Sequence, residues 1–206
     1  MPTHEIARTI GPERAVALPA FHAFTGCDTT SSILGRGKKT AWQAWELFPD
    51  VTSVFKRLSN PDVCIAVVEN EMAVLEEFTV SLYSKKLDTK CVNTARELLF
   101  SQFKRSIKNL PPTKNALVQH ALRSAYQAGI IWGQTLNPLP DLPSPCLFGW
   151  EKESEGWKPM WTDLPEANKV YRELIKCNCK KKCGGARCKC TKLQLKCCKL
   201  CTCSCK

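Results

Sequence analysis

From Lys176 to Lys206 the chain has no aspartate and no glutamate. The same stretch carries ten lysines and arginines, which is +10 of a formal net charge of +11. The remainder of the 206-residue chain is left close to neutral. Such an end excludes a basic partner and fits nucleic acid, an anionic surface or an acidic protein. Long apolar runs are missing too. No eighteen consecutive apolar residues occur, so no segment reads as a membrane span and no membrane partner is expected. The N-terminal MPTHEIARTIGPERA has no apolar h-region and does not read as a secretory signal. Disulfides are therefore not expected, and a cysteine-dense run points to metal instead. There is no Walker loop, no G-x-S-x-G and no dinucleotide fingerprint. Histidine is scarce: His4, His22 and His120 are scattered, and His22 reads as a helix-face residue among apolar neighbours. Cys27, Cys64, Cys91 and Cys146 lack metal spacing and read as small hydrophobes.

Strand patterns are also scarce, and the expected fold class is mainly α. Residues 1–136 read as a helical domain. Pro12 and Pro19 each suit a first helical turn, which predicts two short helices within GPERAVALPAFHAF. KKTAWQAWELF reads as a helix stopped by Pro49. Apolar residues after Pro61 mark a long helix to about Tyr83, and Thr94-Ala-Arg-Glu97 fits a capping box opening a helix to about Lys104. Beyond Pro111-Pro112-Thr113, the residues Leu117, Ala121, Ala125, Ala128 and Trp132 fall at helical spacing and read as core. Residues 137–165 form a connecting segment rich in proline and tryptophan. It is expected to be extended and helix-free, with its indoles docked on the helical domain. A short helix near Pro165–Ile175 then leads into the tail, residues 166–206.

The tail holds ten cysteines between Cys177 and Cys205. Cys177, Cys179, Cys183, Cys188, Cys190, Cys197, Cys201, Cys203 and Cys205 give C-x-C-x3-C-x4-C-x-C-x6-C-x3-C-x-C-x-C, with Cys198 as a tenth. A C-x-C pair closes poorly on itself as a disulfide but easily places two thiolates on one metal or on two neighbouring ones. Zinc takes four ligands, so nine thiolates serve about three zincs if three sulfurs are used twice. Such a cluster carries about −3, and the ten basic side chains leave the tail at about +7. A metal buffer of the metallothionein kind and a disulfide knot are the competing readings. The spacing resembles the tesmin/TSO1-like CXC domain, whose pattern differs by one residue in the first long gap and in the last. That resemblance implies a small irregular three-zinc module that binds DNA, and hence a nuclear location. It implies DNA contacts from Lys180, Lys181, Lys182, Arg187, Lys189 and Lys192. Arg187 stands where the family usually places a tyrosine, and an arginine there suits the minor groove or a phosphate.

Near the front, Gly35-Arg-Gly37-Lys38-Lys39-Thr-Ala41 has the form G-x-G-x-x-x-A. It resembles a helix-hairpin-helix turn, in which Gly35 and Gly37 permit amides to face a phosphate and Lys38 and Lys39 add charge. A plain helix start with solvated lysines reads equally well. Gly26-Cys27-Asp28 just ahead resembles the flap-endonuclease/PIN-like nucleases, where G-x-D supplies a metal-binding aspartate. The longer stretch resembles mobile-element-associated invertebrate proteins that join such a region to a CXC tail. This resemblance implies that the helical domain is the C-terminal part of an α/β PIN-like fold. Asp28 would then be a ligand for Mg²⁺ or Mn²⁺ in a structure-specific nuclease, complete only with upstream carboxylates. Asp28 as the N-cap of a helix at Thr29–Leu34 is the alternative. The expectation for the chain is a zinc-dependent DNA-binding protein, with a nuclease as the rival reading and a protein partner as a third.

Overall fold

The computed structural model describes residues 2–101 and 109–163, and in the tail residues 177, 179, 183, 188–192, 195–197 and 201–203. The chain divides into two compact units, Met1–Asp163 and Leu164–Lys206. It is mainly helical, with a cysteine-rich cluster near the C-terminus. The helix expected near Pro165–Ile175 lies outside the described residues.

In the first unit, helices α1 (Thr3–Ile10), α2 (Pro12–Phe24), α3 (Lys38–Leu47), α4 (Val51–Leu58) and α5 (Ile65–Tyr83) follow one another. They are succeeded by α6 (Val92–Ser101) and α7 (Lys114–Ala125), the last running on as a π-helical stretch, Tyr126–Trp132. The core forms around α2, which buries Ala17, Ala20, Phe21, Ala23 and Phe24 against α4, α7 and the π-helical stretch. Three alanines let neighbouring helices approach closely, and two phenylalanines fill what remains. Phe21 stacks on Trp45 at 4.7 Å, and Phe55 meets Phe78 edge-on at 5.4 Å. Offset and edge-to-face pairs of this kind add about 0.5–1.5 kcal/mol beyond simple burial.

Proline does not divide α2. Pro12 takes the first helical position as expected, but Pro19 lies inside a single helix. A proline there disturbs the hydrogen-bond ladder around it. The neighbouring Ala20 N–H finds a partner elsewhere, donating to Ser59 Oγ at 3.1 Å. Ser59 caps the C-terminus of α4, so the partner comes from a helix distant in sequence. The start of α6 also departs from expectation. It begins at Val92, which leaves Thr94 inside the helix rather than capping it. Buried Glu76 of α5 does the capping instead, with Oε2 accepting from Val92 N–H at 3.1 Å. Its Oε1 pairs with Lys114 Nζ at 2.7 Å, so one carboxylate caps α6 and ties down the first side chain of α7. Thr113 caps α7 through Ala116 N–H.

The proline- and tryptophan-rich segment belongs to the helical unit as far as Asp163. It is neither uniformly extended nor helix-free. Pro145 opens a short 3-10 helix, Pro145–Phe148, capped by Ser144. β1 (Trp150–Glu153) and β2 (Gly156–Pro159) then form an antiparallel hairpin, with Trp150 opposite Pro159 and Glu153 opposite Gly156. The reason is local: residues 146–158 contain no proline, so ladder donors are free, and Gly156 adopts φ +139° at the turn. The indoles dock only partly. Trp150 is half-buried, while Trp157 and Trp161 are exposed.

Replacing fully buried Phe55 with alanine is expected to lower stability by about 3–5 kcal/mol in denaturant unfolding. Leu136→Ala, at a side chain 97% exposed, should change it by less than about 0.5 kcal/mol. A second outcome concerns pH. Burial pushes the His120 imidazole down from 6.5 to about 4, while its Nε2–H donates to Phe24 O at 2.7 Å. As pH falls, the unfolded chain therefore takes up the proton before the folded one does. The contribution is fully present above about pH 6.5 and is lost between there and about 4, amounting to about 3 kcal/mol. Thermal midpoints measured across that window should fall with pH, and His120→Gln should flatten the slope.

Candidate metal centre

The tail has almost nothing apolar to pack, and its sulfurs take the place of a core. Cys177, Cys188, Cys190, Cys201 and Cys203 are buried, with Cys179, Cys183, Cys197 and Leu195 packed against them. Backbone bonds bring the two ends of the tail together. Thr202 N–H donates to Cys177 O at 3.2 Å, and its hydroxyl reaches Cys177 O and Cys179 O. That single threonine sets the C-x-C pair at 177 and 179 beside the pair at 201 and 203. A four-residue helix, α8 (Lys189–Lys192), turns the middle of the tail, with Lys192 N–H donating to Cys188 O. Leu195 N–H donates to Cys190 O at 2.9 Å and carries the chain on toward Cys197.

The resulting sulfur spacings are specific. Cys177 Sγ lies 3.5 Å from Cys183, 3.6 Å from Cys203 and 3.9 Å from Cys197. Cys190–Cys201 and Cys183–Cys197 are each 3.7 Å. A disulfide holds its sulfurs at about 2.05 Å, far closer than any of these pairs. Four thiolates at about 2.3 Å from one zinc, arranged as a tetrahedron, stand about 3.8 Å apart. The sulfurs are spaced as edges of such tetrahedra.

Three quartets place all four sulfurs within 4.8 Å of one another: Cys177–Cys197–Cys201–Cys203, Cys177–Cys179–Cys183–Cys188 and Cys177–Cys188–Cys190–Cys197. Eight of the nine expected ligands take part, and the ninth, Cys205, lies outside the described residues along with Cys198. Cys177 is common to all three quartets, and Cys188 and Cys197 each belong to two. The thiols are tuned unequally. Burial and neighbouring sulfurs push Cys183 up. Cys197 is pushed up to about 12, by its bond to Cys203 and then by burial. Cys188 is held down to about 6, because the Thr191 hydroxyl and N–H donate to it. Soft sulfur donors in fours, mostly buried, make a site able to hold metal ions such as zinc. No family model, curated protein or solved structure matches this chain.

The expected DNA-contact residues are placed less completely. Lys180, Lys181, Lys182 and Arg187 lie outside the described residues. Lys189 lies in α8, and Lys192 at its end is exposed. In the helical unit, Gly35 takes φ +69°, a left-handed turn that glycine permits, and Gly37 precedes α3. Lys39 is exposed. Lys38 is spent inside the fold: Nζ donates to His22 O, Thr25 Oγ1 and Gly26 O, each at 2.6 Å, and closes the C-terminus of α2. Asp28 is exposed on an irregular loop, and no helix follows at Thr29–Leu34 for it to cap. That loop is held by Thr30, whose hydroxyl donates to Ala23 O. Among the described residues, every group of three or more potential ligand side chains is made of cysteines, and Asp28 belongs to none.

Sequence reasoning found the sulfurs but not the residues that aim them. Thr202 and Thr191 are inconspicuous in a tail of lysines and cysteines, and only their hydrogen bonds distinguish them. Cys177→Ser is expected to lower metal retention most, since it removes a donor from every quartet. Cys64→Ser, at an exposed cysteine of the helical unit, should leave it unchanged. Metal content after gel filtration, read by atomic emission, checks both.

Proposed function

We propose that this protein binds DNA through its tail, folded around a three-zinc, nine-thiolate cluster of the tesmin/TSO1-like CXC kind. The observation that supports the reading most is the set of three interlocking cysteine quartets. Three tetrahedral zincs require twelve coordination positions, and the quartets supply them by using Cys177 three times. Cys205 takes over one of those places. Cys177, Cys188 and Cys197 then each bridge two zincs, and the other six sulfurs are terminal. Bound zinc fixes the shape of a segment that cannot fold on apolar burial, and the metal's share of folding energy is correspondingly large.

The partner follows from charge. Lys176 to Lys206 offers ten basic side chains with no acidic one. Against a duplex these neutralise phosphates and release counterions, so binding is expected to be steeply salt-dependent. Lys180, Lys181 and Lys182 form the densest run, and Arg187 is suited to the minor groove. A DNA partner implies a nuclear location. The helical unit serves in this reading as the body that carries the tail.

Duplex binding by the full chain, titrated by fluorescence anisotropy across a salt series, tests the proposal. Replacing Lys180, Lys181 and Lys182 with alanine should weaken binding and reduce the log–log salt slope by about three. Native mass spectrometry should count three zincs, and stripping them with a strong chelator should abolish binding. Unchanged DNA affinity after complete zinc removal would refute the zinc-scaffold reading.

A further inference from the structure

Arg123, on α7, is 2% exposed. Its Nη1 donates to Gly149 O at 3.0 Å and Met160 O at 2.5 Å, tying both ends of the hairpin to the helix. The rings of Trp150 and Trp161 lie 6.0 and 5.6 Å from the guanidinium carbon. Burial lowers its pKa to about 10, which leaves it a full cation at neutral pH. Among the described residues no carboxylate lies within ion-pair distance of it. Its Nε and Nη2 make no hydrogen bond among those residues either. Neither nitrogen is a fully buried orphan, so each keeps accessible surface that water or an anion can meet, and an anion gains the charge-assisted pair.

A cavity of about 250 Å³ adjoins this group, with Arg123, His120 and Trp161 in its lining. Ile33, Leu117 and Pro112 supply apolar wall, and Ser31 and Ser32 add hydroxyls. The volume equals that of about eight waters in the liquid, which suits a molecule of one small ring. A largely apolar recess with a few convergent polar groups is the usual form of a small-ligand site. The unused edge of Arg123 is informative about chemistry. Nε–H and Nη2–H point in parallel from one side of the planar guanidinium, and that fork matches the two oxygens of a carboxylate. His120 gives its Nε2–H to Phe24 O, so its Nδ1 remains an acceptor and favours a ligand carrying a donor as well.

We infer that this cavity binds a small organic carboxylate, held by the Nε–Nη2 edge of Arg123 with its apolar body against Leu117, Ile33 and Pro112. Every residue of its lining belongs to the helical unit.

The full chain, titrated with benzoate and with benzyl alcohol as its neutral counterpart, provides the test. Benzoate should raise the thermal midpoint saturably, as a ligand of the folded state does, and benzyl alcohol should not. Arg123→Lys keeps the charge but loses the fork, and should weaken benzoate at least about tenfold. Ala116→Leu, which fills the cavity from α7, should abolish the response. In the unaltered protein, nuclear Overhauser contacts are expected between benzoate ring protons and the Leu117 methyls. Absence of a saturable response at tens of millimolar benzoate overturns the inference. So does an equal response to benzyl alcohol, or a saturable response without contacts to Leu117.

Discussion

Sulfur atoms 3.5–3.9 Å apart, in a segment with few apolar side chains, are held by whatever binds the sulfurs. That constraint governs the tail. Thiolates repel one another at such distances and protonated thiols bond only weakly, so a cation that draws on four at once is the natural cement. Lys192 and Lys196, the tail lysines whose exposure is described, stand in solvent beside the sulfurs.

The helical unit obeys a different constraint. Its core is closed by aromatic and alanine packing around α2, and its awkward polar groups are consumed at helix ends. Lys38 closes α2, Glu76 opens α6, and Ser59 takes the N–H that follows Pro19. In each case a side chain from elsewhere in the sequence satisfies a backbone group that its own helix cannot. These contacts fix the order in which helices lie against one another, something apolar surface alone does poorly.

This division explains what could be read from sequence. α3, α5 and α7 announce themselves by apolar spacing and flanking prolines, which are local signals. The cysteine pattern is likewise local, because cysteines able to share a metal carry that geometry in their spacing. Thr94 misled because a capping box describes a helix in isolation, whereas buried Glu76, sixteen residues before Val92, decides where α6 begins. Pro19 misled for the same reason, since its rescue depends on Ser59. The hairpin at 150–159 was hidden by the prolines around it. The roles of Lys38 and Arg123 were illegible altogether: a cation's use is set by which carbonyls the fold brings to it.

Cys177 belongs to every sulfur quartet and is also the first cysteine of the tail to be synthesised. Its partner Cys203 follows 26 residues later. At translation rates of about 5–20 residues per second, the first thiol waits roughly one to five seconds for the last described one. No quartet built on Cys177, Cys201 and Cys203 can close until nearly the whole tail has been made. The helical unit therefore has the opportunity to fold before that quartet can close, whereas Cys177, Cys179, Cys183 and Cys188 are all present as soon as Cys188 is made.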